Sequence, residues 1–197
     1  MEKQSKNIVI GGVGGQGILK MSDILCETAL IEGYDVKKSE VHGMAQRGGS
    51  VTSHVKFGEE VYSPLVEPGT ANIVITLELL EALRYSHFTS HNGILIYDDF
   101  KIDPPVVYTG LEKYPDYVEN RLNELTVKTV KIQAFKVAIA LKNSRTQNVV
   151  MLGAMADFLP FKEDSFFEAM RNVLPEKFID VNIKAFREGR KLIKKEV

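Results

Sequence analysis

Gly12-Val-Gly14-Gly15-Gln16-Gly17 follows a short β-branched run, Asn7–Gly11, and leads into an amphipathic stretch. The spacing is G-x-G-x-x-G, which between a strand and a helix makes a place for a phosphate-bearing ligand. The first glycine allows a tight exit from the strand, the middle one lets backbone approach a ligand, and the last lets helix and strand pack closely. Unpaired amides at the helix N-terminus then favour an anion. The same glycines also suit a purely structural turn, and spacing alone leaves both readings open. A P-loop does not fit, because Ile18-Leu19 stands where Lys-Ser/Thr is needed. A dinucleotide site wants a carboxylate at the end of the second strand, and Glu40 lies near that place. A stand-alone NAD- or FAD-binding oxidoreductase is therefore one reading.

The second chemical segment is Ser39-Glu-Val-His-Gly-Met-Ala-Gln-Arg-Gly-Gly-Ser50. It combines an acid (Glu40), an imidazole (His42), an amide (Gln46) and a guanidinium (Arg47) with Gly43, Gly48 and Gly49. Burying such a mixture without partners is costly. Placed at the carboxyl edge of a parallel sheet, beside the glycine loop, it suits recognition of a phosphate, a carboxylate or another subunit's backbone. A solvated polar loop is the plain alternative.

Other groups read more simply. Cys26, the one cysteine, sits in a helical run as a buried, inert thiol. It cannot by itself hold an iron–sulfur cluster, which takes about four cysteines. His87 and His91 are four apart but have no third ligand nearby, so no metal site is expected. Asp98-Asp99 follows a strand, where carboxylates often meet ligands or metal, and reads first as a solvated strand end. Lys184, Arg187, Arg190, Lys191, Lys194 and Lys195 read as a solvated helix face, with a docking surface as the sharper alternative.

These groups need elements to position them. Asn7–Gly11, a helix over Gly15–Glu32 and a strand over Tyr34–Ser39 make a βαβ unit, hence a parallel sheet. Ser50–Phe57 alternates as a half-exposed strand does, and Gly58-Glu-Glu60 suggests a hairpin turn into Val61–Ser63. Asn72–Thr76, Gly93–Asp98 and Val127–Val130 are further strands, with a helix over Leu77–Tyr85. The last strand leads into a helix striped by Ile132, Phe135 and Ile139. From about Gln147 the chain is helical, divided by Pro160 and Pro175. The expected fold is α/β: a single Rossmann-like, doubly wound domain over 1–197, mostly parallel, with an antiparallel hairpin excursion and C-terminal helices. With 44% hydrophobic residues, 26% charged residues and a net charge of −1, the chain shows no electrostatic footprint for nucleic acid or an anionic membrane. No apolar run approaches the roughly 20 residues of a spanning helix. The polar start is no signal peptide, and a cytoplasmic location is expected.

Val9-Ile-Gly-Gly-Val-Gly-Gly-Gln-Gly17, the 39–51 string and Ser63-Pro64, in that order, resemble the gamma-type subunits of 2-oxoacid:ferredoxin oxidoreductases. Within them, Glu40–Gly49 is most similar to the beta subunits of the indolepyruvate branch. The resemblance continues through Asn148–Gly153 and Asn182–Phe186…Gly189, so it spans nearly the whole chain. It implies a subunit without its own redox centre. Thiamine diphosphate and [4Fe-4S] clusters would sit on a larger partner, with ferredoxin as electron acceptor and the 2-oxoacid and coenzyme A as substrates. Gly12, Gly14, Gly15, Gln16 and Gly17 would form one cleft wall, and Arg47, Gly48 and Gly49 a second. His42 and Gln46 belong to the narrower indolepyruvate-like pattern. Without its partner the chain would expose an apolar patch, which a homodimer could bury.

Overall fold

A β-branched run between polar ends makes Lys6–Val13 a strand (β1), and Ile8, Val9 and Ile10 are buried on both of its faces. The computed structural model describes residues 4–42 and 48–196. After β1 come α1 (Ile18–Ile31), β2 (Asp35–His42), β3 (Ser50–Gly58), β4 (Ala71–Thr76), α2 (Leu79–Tyr85) and β5 (Thr89–Asp98). Then follow α3 (Pro105–Tyr108), α4 (Val118–Asn123), β6 (Lys128–Ile132), α5 (Ala134–Ala140), α6 (Gln147–Ala156), α7 (Glu163–Val173) and α8 (Ile179–Glu196).

The strands form one six-stranded sheet in the order β2-β3-β1-β4-β5-β6. β1, β4, β5 and β6 pair in parallel, while β3 runs antiparallel to both β1 and β2. Alternation along the parallel strands sends Ile8, Ile10, Ile73, Ile75, Ile94 and Ile96 to one face, under α1, α6, α7 and α8. Val9, Val74, Leu95 and Tyr97 face the other way, under α2 and α4. The result is the expected doubly wound sheet with C-terminal helices.

Three expectations change. The antiparallel hairpin is β2–β3, and Val61–Ser63 forms no strand. Both hydrogen-bonding edges of β3 are taken by β1 and β2, so the segment after it has no edge there to pair with. Side chains pin that segment instead: Val61 N donates to Asp35 Oδ2 at 2.8 Å, and Val66 N to His54 Nδ1 at 3.1 Å. β3 is accordingly covered on both faces rather than half-exposed, with Thr52 and His54 buried. Finally, Ile132 ends β6 and Ile139 is 52% exposed, so neither belongs to a buried helical stripe.

The C-terminal helices pack at backbone distance. A Cβ on Gly153 of α6 would overlap the Phe186 carbonyl of α8, and one on Gly189 would overlap the Val150 carbonyl. Two glycines thus let α6 and α8 touch main chain to main chain. Arg190 on α8 pairs with Asp157 and Glu163, Arg187 with Glu163, and Lys191 with Glu188. These pairs account for half of the basic C-terminal residues as an ion-paired face.

Candidate functional site

β1 ends at Val13, and the glycine loop turns at the carboxyl edge of the sheet. Gln16 N donates to Val13 O at 3.1 Å, and Gly15 (φ +106°) and Gly17 (φ +81°) take left-handed conformations that suit glycine. Gly12 has no room for a Cβ, which would lie 2.6 Å from Ile18 Cδ1. Gly17 is closed in by Asn148, whose Nδ2 donates to Gly17 O at 3.0 Å. At Gly15, by contrast, nothing lies within 4 Å of a built Cβ. The backbone is therefore open to a ligand at Gly15 and packed at Gly12 and Gly17, and the first-turn amides of α1, which have no intrahelical acceptor, point the same way.

A cleft of about 680 Å³ lies between this loop, the start of α6 and the start of α8. Gly15, Lys20, Phe135, Arg145, Asn148 and Phe178 are among its walls. Phe135 stacks on Phe100 with ring centroids 3.8 Å apart. The cavity is of a size that takes a small organic ligand, and two cations in its lining, Arg145 and Lys20 (which also pairs with Asp23 at 3.5 Å), suit an anionic one.

The second loop joins the first directly. Gly14 N donates to Gly49 O at 2.8 Å, and Gly48 N to Gly14 O at 3.5 Å. Glycines 12–17 and 48–49 are therefore one surface, as the order of the strands anticipates. His42 closes β2 opposite Val51, while Gln46 and Arg47 lie outside the described residues. Glu40 is elsewhere: Lys38 holds it at 2.7 Å and also holds Asp23, and β3 stands between β2 and β1. Two strand spacings, roughly 10 Å, separate β2 from the glycine-bearing strand. The carboxylate a dinucleotide ribose would need is thus ion-paired at the sheet edge.

Gln16 lines the cleft, but its amide is spent inside the protein. Its Oε1 accepts from Val13 N at 2.7 Å, and its Nε2 donates to Leu77 O at 2.7 Å and to Gln147 Oε1 at 3.2 Å. Gln147 Nε2 donates in turn to Leu77 O and to Asp98 Oδ2, both at 2.9 Å. Asp98 is fully buried, not a solvated strand end, and also accepts from Ala134 N and Phe135 N. Burial pushes its carboxyl up to about 6 against these donors. Its position at the end of a buried parallel strand was the available signal.

A smaller cavity, about 190 Å³, lies beneath Gly48–Ser50. Into it face Glu78 and Glu81, 1% and 3% exposed. Glu78 caps α2 by accepting from Glu81 N, and accepts from Tyr114 at 2.7 Å. Glu81 is held by Ser50 and Arg84. Burial raises its carboxyl above the usual range. Sequence reading missed both acids, since a glutamate in a short helix looks solvent-facing.

Cys26 is half-buried, and burial pushes its thiol up to about 12, far from the thiolate an iron–sulfur centre needs. The chain's residues do not fit such a cluster. Among the described residues, no group of three or more His, Cys, Asp and Glu side chains is placed to hold a metal, and no helix is long and apolar enough to cross a membrane. His87 Nδ1 lies 2.9 Å from its own turn's Arg84 O.

A doubly wound sheet with Gly14 and Gly49 joined at its carboxyl edge defines a nucleotide-binding-like α/β domain, and residues 7–192 match the family pyruvate ferredoxin/flavodoxin oxidoreductase. The chain belongs to that family, as a gamma-type subunit. It is 40% identical over 187 residues to the indolepyruvate oxidoreductase subunit IorB of Archaeoglobus fulgidus, covering 93% of this chain and 92% of that one. The fold matches the gamma subunit of a keto/oxoacid ferredoxin oxidoreductase from Geobacter sulfurreducens with a TM-score of 0.72 at 22% identity, covering 96% and 99% of the two chains. It also matches the 2-oxoglutarate:ferredoxin oxidoreductase of Magnetococcus marinus, a structure with 2-oxoglutarate, coenzyme A and succinyl-CoA bound, with a TM-score of 0.76 at 20% identity. That match covers all of this chain and 32% of the larger one.

Proposed function

We propose that this chain is the cluster-free subunit of a cytoplasmic indolepyruvate- or arylpyruvate:ferredoxin oxidoreductase, inactive alone and acting over 1–197 as one domain. A larger partner would carry thiamine diphosphate and [4Fe-4S] clusters, and these supply decarboxylation of the 2-oxoacid and electron transfer to ferredoxin. This chain's part is to complete the cleft in which coenzyme A meets the acyl group. The observation that carries the reading is the Gly14–Gly49 hydrogen bond, which fuses two loops into one wall. Gly15 and the first turn of α1 would face the phosphates, with Lys20 and Arg145 beside them. Gly48 and Gly49, and with them His42, Gln46 and Arg47, would line the side towards the partner. Exposed Tyr108 (86%) and Leu111 (79%) offer apolar surface for a partner to cover, or for a homodimer when it is missing.

Co-expression with a thiamine-dependent, cluster-bearing partner tests this. The complex should reduce a dye in the presence of an arylpyruvate and coenzyme A, and neither chain should do so alone. Lys20→Ala and Arg145→Ala should each raise KM for coenzyme A about tenfold, the loss of one charge-assisted hydrogen bond. Unchanged kinetics in these variants and in Arg47→Ala would remove the cleft assignment. Tight NAD(H) binding by the isolated chain would favour a stand-alone dehydrogenase instead.

A further inference from the structure

Asn148 stands where the glycine loop meets the helical run that opens at Ser144 and continues as α6. It is 6% exposed and lines the cleft. Main-chain groups fix its amide at both ends: Oδ1 accepts from Val149 N at 2.9 Å, and Nδ2 donates to Gly17 O at 3.0 Å. A backbone N–H cannot accept and a carbonyl cannot donate, so a flipped amide would lose both bonds. The NH₂ group carries two protons, and one of them goes to Gly17. Among the described residues the second has no acceptor. A nearly buried N–H without a partner is costly, so this proton calls for an acceptor from the cleft itself.

Two neighbours say what kind of acceptor. Arg145 lies three residues earlier on the same helical run, which puts it on the same face, and it lines the same cleft. Among the described residues it has no ion-pair partner. Across the cleft, the backbone at Gly15 is open. A cation, a spare amide proton and open backbone together suit the oxygens of a phosphate. Gly17 O, for its part, already accepts from Met21 N at 3.0 Å. The Asn148 bond is therefore not required to satisfy that carbonyl, and its effect is to hold the side chain at the cleft wall.

We propose that Asn148 is a ligand-binding residue, whose second Nδ2 proton goes to an oxygen of a phosphate or diphosphate group held between Arg145 and Gly15. The identity of that ligand as coenzyme A rests on the reading above; the contact to phosphate does not.

Inorganic pyrophosphate, titrated into the full chain and followed by NMR, tests the contact. The side-chain NH₂ signals of Asn148, assigned by their loss in Asn148→Ala, should shift and saturate. Asn148→Ala should weaken pyrophosphate binding about tenfold, as expected for one charge-assisted hydrogen bond. Asn148→Asp keeps the size and an acceptor for Val149 N but sets a carboxylate against the anion, and should weaken binding further. Urea unfolding of each variant separates this from packing, because a residue that only packs over Gly17 changes stability and leaves the affinity of the folded chain as it was. In the complex, Asn148→Ala should raise KM for coenzyme A about tenfold with kcat little altered. Unshifted Asn148 signals, no saturable binding by the native chain, or equal affinity in the native chain and both variants overturns the proposal. If Asn148→Asp does not fold, Asn148→Ala and Asn148→Ser decide between the same outcomes. Asn148-dependent pyrophosphate binding without coenzyme A-dependent turnover of the complex would uphold the phosphate contact and remove the coenzyme A reading.

Discussion

Ser50, the first residue of β3, donates its hydroxyl proton to the buried carboxylate of Glu81 on α2. A serine has one proton to give, so the Tyr85 hydroxyl, 2.6 Å away, must donate to Ser50. The tyrosine ring lies where a Cβ on Gly11 would be, 2.5 Å from Cδ2. One hydrogen-bonded unit thus ties the root of the second loop to α2 and to the strand that carries the first.

Ser50→Ala should leave a buried carboxylate oxygen and the Tyr85 proton short of partners. A loss of about 1–3 kcal/mol is expected, measured by urea unfolding at neutral pH. Because the Ser50 bond lowers the Glu81 pKa, its removal should also move that carboxyl further up, which an NMR titration of the glutamate would follow.

Asp98 predicts a pH dependence. Its carboxyl is raised from 3.8 to about 6, mainly by burial, so the folded state holds this proton longer than the unfolded state does. The contribution is largest below the unfolded value and is lost as pH rises through about 6, a fall of roughly 3 kcal/mol from this group. Unfolding free energies between about pH 4 and pH 7 should show this falling component in the native chain, and Asp98→Asn should lack it.

Gly153→Ala and Gly189→Ala should each force α6 and α8 apart, because the new methyl meets backbone rather than a flexible side chain. A destabilisation of about 3 kcal/mol or more is expected from denaturant unfolding of each.

Lys142 follows α5 with φ 58°, in the left-handed region, and Asn143 N donates back to Ala138 O at 3.1 Å. This is a helix stop that favours glycine. Lys142→Gly should therefore raise stability by about 1 kcal/mol, seen as a higher Tm without loss of the fold.

Much of the frame was legible because it is local. β1, the glycine turn and α1 lie within some thirty residues whose β-branched run, glycine spacing and helical periodicity agree. Pro160 and Pro175 do divide the tail, falling between α6 and α7 and between α7 and α8. The 148–153 and 182–189 strings, which carry part of the family resemblance, have a physical reason in the contact of Gly153 and Gly189 with the facing helix.

The amino-acid sequence by itself determined the strands, the helices, the glycine turn and the family pattern, since each depends on neighbours a few residues away. Tertiary structure alone decided who pairs with whom. Alternation in Ser50–Phe57 marks a strand but not its partner, and insertion of β3 between β1 and β2 put Glu40 at the sheet edge with Lys38. It also decided what is buried: Asp98, polar and adjacent to Asp99, reads as solvent-facing until α5 and α6 bring their donors to it across more than thirty residues of chain. A carboxylate is stable inside a protein only where such donors converge, and convergence from distant segments is a property of the fold, not of any stretch of sequence.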